Sequence, residues 1–316
     1  MYHVTPQASR LHQSRCRTSA CPHCSSTAYC KHGYFFRQDD GRRVQRYRCR
    51  RCLKTFSRAG FSHFYRHRYR RLKLAIYRGL ADKNTIRGVA HSLGIDKDTV
   101  SRYLVLLAKE CRERQWVRRQ RAPLASNVQF DELITFEHSR LKPLAVMLIT
   151  DSDRWRILGY TVSRIPANGL LAEKSRKKYG KRRDESVARR HELMQKVAPL
   201  IDPQATIRTD EHAAYPTLIK RHLPQATHES FKGRKAHISG QGEMKEGGFD
   251  PIFCINQQLA MCRYLNSRLV RRTWTTTKKV DRLEDHLAIL IDFYNEHRRP
   301  KSGREFEAKE ELPMNR

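Results

Sequence analysis

The sequence predicts a multidomain α+β protein. Three observations carry that reading: two CxxC pairs near the N-terminus, a stretch of helical periodicity that stops near Pro123, and a switch to strand-like apolar runs beyond Ser126. At 316 residues the chain is longer than one two-layer core usually grows, so two or three modules fit. The predicted boundaries are a disordered tail over 1–18, a cysteine-bound module over 19–58, a helical unit with a basic linker over 61–122, a mixed-sheet α/β domain over 126–298 and a second disordered tail over 299–316.

The first module follows from Cys21-Pro-His-Cys24 and Cys49-Arg-Arg-Cys52. Each CxxC places two thiolates on one tight turn, and four thiolates make a closed tetrahedral zinc site that is structural rather than catalytic. Between the pairs, Lys31 to Phe36 and Arg43 to Arg48 read as the strands of a hairpin around Asp39-Asp40-Gly41. That is a zinc ribbon, too small to fold without its metal. A redox CxxC would need one motif in a strand-helix context, so Cys16 and Cys30 are read as bystanders, and His23 as surplus to a filled shell.

In the helical unit, a basic helix is expected from Phe61 to Leu80. Asn84 to Leu104 then reads as helix, tight turn, helix. Ala90 is small where two helices touch, Gly94 can take positive φ in the turn, and Ile95, Val100 and Leu104 form an apolar face. This is the pattern of a helix-turn-helix, with Asp96 or Lys97 opening the second helix and Lys97, Asp98, Ser101 and Arg102 directed at a major groove. Ala108 to Arg121 reads as a helix fraying into a basic linker along a phosphate backbone.

Charge names the partner class. Sixty-four Lys and Arg against 32 Asp and Glu leave +32, an excess that a polyanion would neutralise. Nucleic acid fits, and charge alone does not separate DNA from RNA. No apolar run approaches the ~20 residues that span a bilayer, and the N-terminus lacks the apolar core of a signal peptide, so a cytoplasmic, nucleoid-associated protein without a membrane partner is expected.

Beyond Ser126, apolar runs at Val128–Phe136, Leu144–Thr150 and Ile157–Val162 predict an antiparallel meander. A basic stretch from Lys174 to Arg183 precedes a helix over Ser186–Leu200, then a strand over Ala205–Asp210 and a helix over Thr217–His222. Meander, helix, strand, helix is the order of a ribonuclease-H-like fold, in which Asp131 and Asp210 lie on neighbouring strands. Two adjacent carboxylates repel unless a cation lies between them, and in a polyanion-binding protein that suggests Mg²⁺ or Mn²⁺ and phosphoryl transfer.

The order of zinc ribbon, helix-turn-helix, Phe130-Asp131-Glu132, Thr209-Asp210-x4-Tyr215 and a late basic helix resembles the DDE transposases of small bacterial insertion sequences, particularly the insertion-sequence-one type and its relatives. The resemblance runs from about Cys21 to Asn295. It implies an end-binding N-terminal half, cleavage and transfer of double-stranded DNA at element ends and target, at least a dimer, and a triad of two Asp and one Glu, the Glu on a helix with an Arg-rich continuation. That helix is expected over Phe249–Arg272, with Asp250 as N-cap and Pro251 at its first position. Counting back from its tail, Arg263, Arg268, Arg271, Arg272 and Trp274, the Glu position holds Asn256. Glu246 is the alternative third ligand and Glu243 stands behind it. The four arginines read as a phosphate-facing stripe, and Trp274 as a base-stacking or core aromatic. The rival functions are a non-catalytic DNA-binding protein or inactivated remnant, and a nuclease that cuts without joining.

Overall fold

The computed structural model describes residues 20–38, 41–65, 67–232, 250–270 and 275–300. The tail expected over 1–18, residues 301–316 of the second tail, Cys16, the Asp39-Asp40 turn residues, Glu243, Glu246, Arg271, Arg272 and Trp274 all lie outside the described residues, while Arg299 at the start of the second tail bonds the Asn295 and Arg154 carbonyls. The chain is mixed α+β and divides into two compact units that meet between Tyr77 and Arg78.

The first unit is a three-stranded antiparallel sheet, β1 (Tyr29–Arg37), β2 (Arg42–Cys49) and β3 (Thr55–Ser57). Its apolar interior is a small aromatic cluster: Tyr29, Tyr47 and Phe56 lie with ring centroids 5.4–5.7 Å apart. So little buried surface contributes only a few kcal/mol, so a metal cross-link would add much to this unit's stability. The expected basic helix over Phe61–Leu80 forms only in part. A 3₁₀ turn spans Arg58–Phe61, another Arg70–Leu72, and α1 begins at Lys73 and ends at Ala81. The Arg-rich residues before Lys73 bring like charges within one helical turn, which opposes a continuous α-helix.

In the second unit, α2 (Ile86–Leu93) is N-capped by Thr85, whose Oγ1 accepts from Gly88 N–H at 2.9 Å. Gly94 ends it at φ +61°, a conformation that costs a residue with Cβ. Asp96 then caps α3, accepting from Asp98 N–H at 2.7 Å. α3 runs without a break from Lys97 to Arg121, so the expected fraying into a linker does not occur. Its first half buries Val100, Leu104 and Leu107, and its second half lies along α8 (Val280–Phe293). There Arg112 pairs with Asp285 at 2.9 Å, Arg114 with Asp292 at 2.5 Å, and Arg118 with Asp292 and Glu296 at 3.0 and 3.1 Å. These arginines, expected along a phosphate backbone, are held by the protein's own carboxylates.

The larger sheet is five-stranded in the order β6-β5-β4-β7-β8: β4 (Ala125–Phe136), β5 (Pro143–Asp151), β6 (Arg156–Arg164), β7 (Ile201–Asp210) and β8 (Thr227–Phe231). β4, β5 and β6 form the antiparallel meander, while β7 and β8 add on in parallel, the last strand absent from the sequence reading. Alternation along β4 divides its residues between two faces. Val128 and Phe130 join the core under α5 (Ser186–Val197) and α6 (Tyr215–His222), and Leu133 joins the core under α7 (Phe253–Leu265) and α8. Gly159 lets α5 approach β6, since a Cβ there would stand 2.5 Å from Val197 and 2.8 Å from Leu193. A short helix, α4 (Ala172–Tyr179), lies between β6 and α5. No helix among the described residues is long and apolar enough to cross a membrane.

Candidate functional site

The four cysteines of the two CxxC motifs converge. Their sulfurs lie within 4.8 Å of one another, with Cys21 to Cys52 at 3.6 Å and Cys24 to Cys49 at 3.5 Å. A tetrahedral zinc with ~2.3 Å bonds to sulfur sets its thiolates roughly 3.8 Å apart, so the cluster fits that ion. Each pair sits on the same turn: Ser25 N–H donates to Cys21 carbonyl and Leu53 N–H to Cys49 carbonyl, and both Ser25 and Leu53 have positive φ. A leucine held at φ +60° is strained, and metal ligation would offset that strain. Cys30 stays outside, its thiol 3.8 Å from the Arg48 carbonyl. Among the described residues this is the one group of three or more His, Cys, Asp or Glu able to hold a metal.

A second arrangement lies in the larger sheet. β4 and β7 run parallel with Gln129 opposite Arg208, so the same register carried two residues on sets Asp131 beside Asp210 at the end of β7. Asp131 shares the α7-facing side of β4 with Gln129, whose Oε1 accepts from Ile255 N–H at 3.1 Å and ties β4 to α7. A cleft of about 530 Å³ opens there, lined by Asp131, Leu133, Asn256, Leu259, Arg263 and Tyr264. Burial pushes the Asp131 carboxyl up to about 6. Its hydrogen bond from Glu132 N–H opposes that, the charge of Asp210 adds to it, and Arg263 works against it. A second positive charge in the cleft would relieve this cost.

α7 begins later than expected. Asp250 does not cap it in the ordinary way. Instead its Oδ1 accepts from Ile252 N–H at 3.1 Å and its Oδ2 takes the Asn256 amide N–H at 2.7 Å. The Asn256 amide is thereby oriented, and its carbonyl oxygen is the end suited to a cation. The helix also stops at Leu265, so the expected stripe of four arginines does not run along one helix. Arg263 lines the cleft, whereas Arg268 falls in the turn beyond, partly buried near Arg282 and Asp285.

Two residues of the sequence motifs, Glu132 and Tyr215, lie near the cleft with contacts that the sequence did not foretell. Glu132, on the opposite side of β4 from Asp131, pairs with Arg190 of α5 at 2.5 and 3.0 Å. Tyr215 is fully buried against Phe130 at 4.7 Å, and burial together with Glu132, Asp131 and Asp210 pushes its phenol well above the usual range, so it stays protonated. The proposed groove contacts sit on the first turns of α3: Lys97 and Arg102 are exposed and Ser101 is half-buried.

No family model matches the sequence, and no curated protein matches it. Among solved structures it aligns with a chain in the crystal structure of a pre-cleavage Mos1 transpososome, at 10% identity over 71% of this chain and 76% of that one, with a TM-score of 0.19. A likeness of that degree carries no argument about this chain.

Proposed function

We propose that this protein is a metal-dependent DNA transposase of the insertion-sequence kind, with the mixed sheet as a ribonuclease-H-like catalytic domain. The observation that carries the reading is the adjacency of Asp131 and Asp210 on neighbouring strands, Asp131 lining a cleft with Asn256 and Arg263, in a chain of net charge +32. Hard oxygen donors of this kind suit Mg²⁺ or Mn²⁺. Asp131 and Asp210 would hold the ions, and Asn256 would complete the site through its carbonyl oxygen. Bound there, the ions would activate an attacking water or 3′-hydroxyl and stabilise the leaving oxygen.

The chain's own residues do the rest. Arg263 draws a phosphate into the cleft. The Glu132–Arg190 pair fixes the strand that carries Asp131, and the Asp250–Asn256 bond fixes the third ligand. Lys97, Ser101 and Arg102 of the helix-turn-helix read double-stranded DNA at the element's ends, with the ribbon as a second grip, and joining two ends calls for at least a dimer. The test is a strand-transfer assay on labelled end DNA with Mg²⁺ or Mn²⁺. Wild type should yield joined products, while Asp131→Ala and Asp210→Ala bind the same DNA and lower the rate at least 10³-fold, on the order of several kcal/mol.

A second reading, a non-catalytic DNA-binding protein, is favoured by one observation: Asn256 brings no charge where the resembled triad has Glu, so a second ion is held more weakly. End binding by wild type without cutting or joining in either metal would establish it. Cutting without joining would point to a nuclease.

A further inference from the structure

We infer that the connection between β6 and α5, residues 165–185, is a docking arm for the phosphate backbone of duplex DNA flanking the carboxylate cleft; the choice of DNA rests on the transposase reading. Seven of the ten residues from Lys174 to Arg183 are cationic. Lys174, Arg176, Lys177, Lys181 and Arg183 are exposed and make no ion pair with a described residue, whereas Arg182 reaches back to Glu137 at 3.5 Å. Concentrated positive charge without internal partners is costly and calls for an external polyanion.

The arm is also built in place. Ser175 Oγ donates to the Leu141 carbonyl at 2.7 Å, and the ammonium groups of Lys142 and Lys178 lie over the Tyr179 ring at 4.5 and 5.5 Å. Arg182 and Ser175 thus anchor α4 on the β4–β5 turn. That turn belongs to an overhang, because β7 ends at Asp210, level with Asp131, while β4 continues to Phe136. The six residue steps from Asp131 to Glu137 span about 20 Å. At ~3.4 Å per base pair, a duplex with a phosphate in the cleft would offer the arm phosphates about six base pairs away. The one aromatic of α4, Tyr179, already carries two ammonium groups, so the arm suits backbone phosphates rather than stacked bases.

The test is the salt dependence of full-chain binding to a short duplex of arbitrary sequence. One variant carries Lys174→Ala, Lys177→Ala and Lys181→Ala. A charge-matched control carries Lys196→Ala, Lys220→Ala and Arg221→Ala, all exposed on α5 and α6. Each phosphate contact contributes about 0.9 to the slope of log K against log salt, so the arm variant should be shallower than wild type by about 2.7 and the control by less than half of that. Equal shifts in the two variants, or an unchanged slope in the arm variant, would overturn the proposal. The readout needs no strand transfer: if wild type shows this contrast yet never joins DNA, the transposase reading falls and the arm stands.

Discussion

Two basic runs of this chain look alike in sequence and differ in use. Arg112, Arg114 and Arg118 lie on α3 and are met by Asp285 and Asp292 of α8 and by Glu296 just beyond it. From Lys174 to Arg183 the cations lie on a short helix and the coil that follows it, and among the described residues only Arg182 meets a carboxylate. The first run fastens α3 to α8, and the second is the one proposed to meet a ligand. Local charge density therefore does not identify a nucleic-acid surface. What decides is whether the fold returns carboxylates to the same place.

Breaking the first run should cost the most stability. In the double variant Arg114→Ala, Arg118→Ala, Asp292 keeps its burial and loses both arginine partners, which should destabilise the sheet unit by about 3–5 kcal/mol. Asp292→Asn should cost less, about 1–2 kcal/mol, because the two arginines are partly exposed and can turn to water. Urea denaturation followed by tryptophan fluorescence measures both, since Trp116 and Trp155 lie in that unit. Equal losses would mean that the arginines contribute by packing rather than by charge.

The same dock should be sensitive to acid. His286 of α8 is buried, its Nε2 lies 2.6 Å from the Leu80 carbonyl, and burial together with Arg268 pushes its pKa down to about 4. The folded value is below the unfolded value near 6.5, so the folded state favours the neutral ring. The contribution is therefore complete above about pH 6.5 and is lost as pH falls towards 4, about 3 kcal/mol in all. His286→Gln should flatten stability against pH across that window while leaving the slope outside it unchanged. A slope that matches wild type would assign the acid sensitivity to other groups.

The smallest effect belongs to the second run. Lys174→Ala, Lys177→Ala and Lys181→Ala should together change the urea midpoint by no more than the equivalent of about 0.5 kcal/mol, because the side chains are exposed and unpaired. A larger loss would show that the arm fastens the fold as α3 does, and the contrast between the two runs would disappear.

Much of the molecule was legible because its signals are local. The CxxC turns, the φ +61° Gly94, the Asp96 cap and the strand runs each depend on residues a few positions apart. Asp131 and Asp210 become neighbours only through the parallel pairing of β4 with β7, which joins strands far apart in the chain. Asp250 followed by Pro251 has the local pattern of a helix cap, but the Asp side chain turns inward to hold Asn256 and α7 begins later. The residues before Lys73 favour a helix by composition, and repulsion among their like charges opposes it.

By itself, then, the sequence determined the two CxxC turns, the capped helices on either side of Gly94 and the strands that carry Asp131 and Asp210, since short-range geometry and side-chain chemistry suffice for each. Only the tertiary structure decided which charges are spent inside. Arg114 and Asp292 are 178 positions apart and Glu132 and Arg190 are 58 apart, and no local pattern encodes such a meeting. The physical reason is that an ion pair's value depends on burial and approach, and both come from the packing of elements distant in the chain.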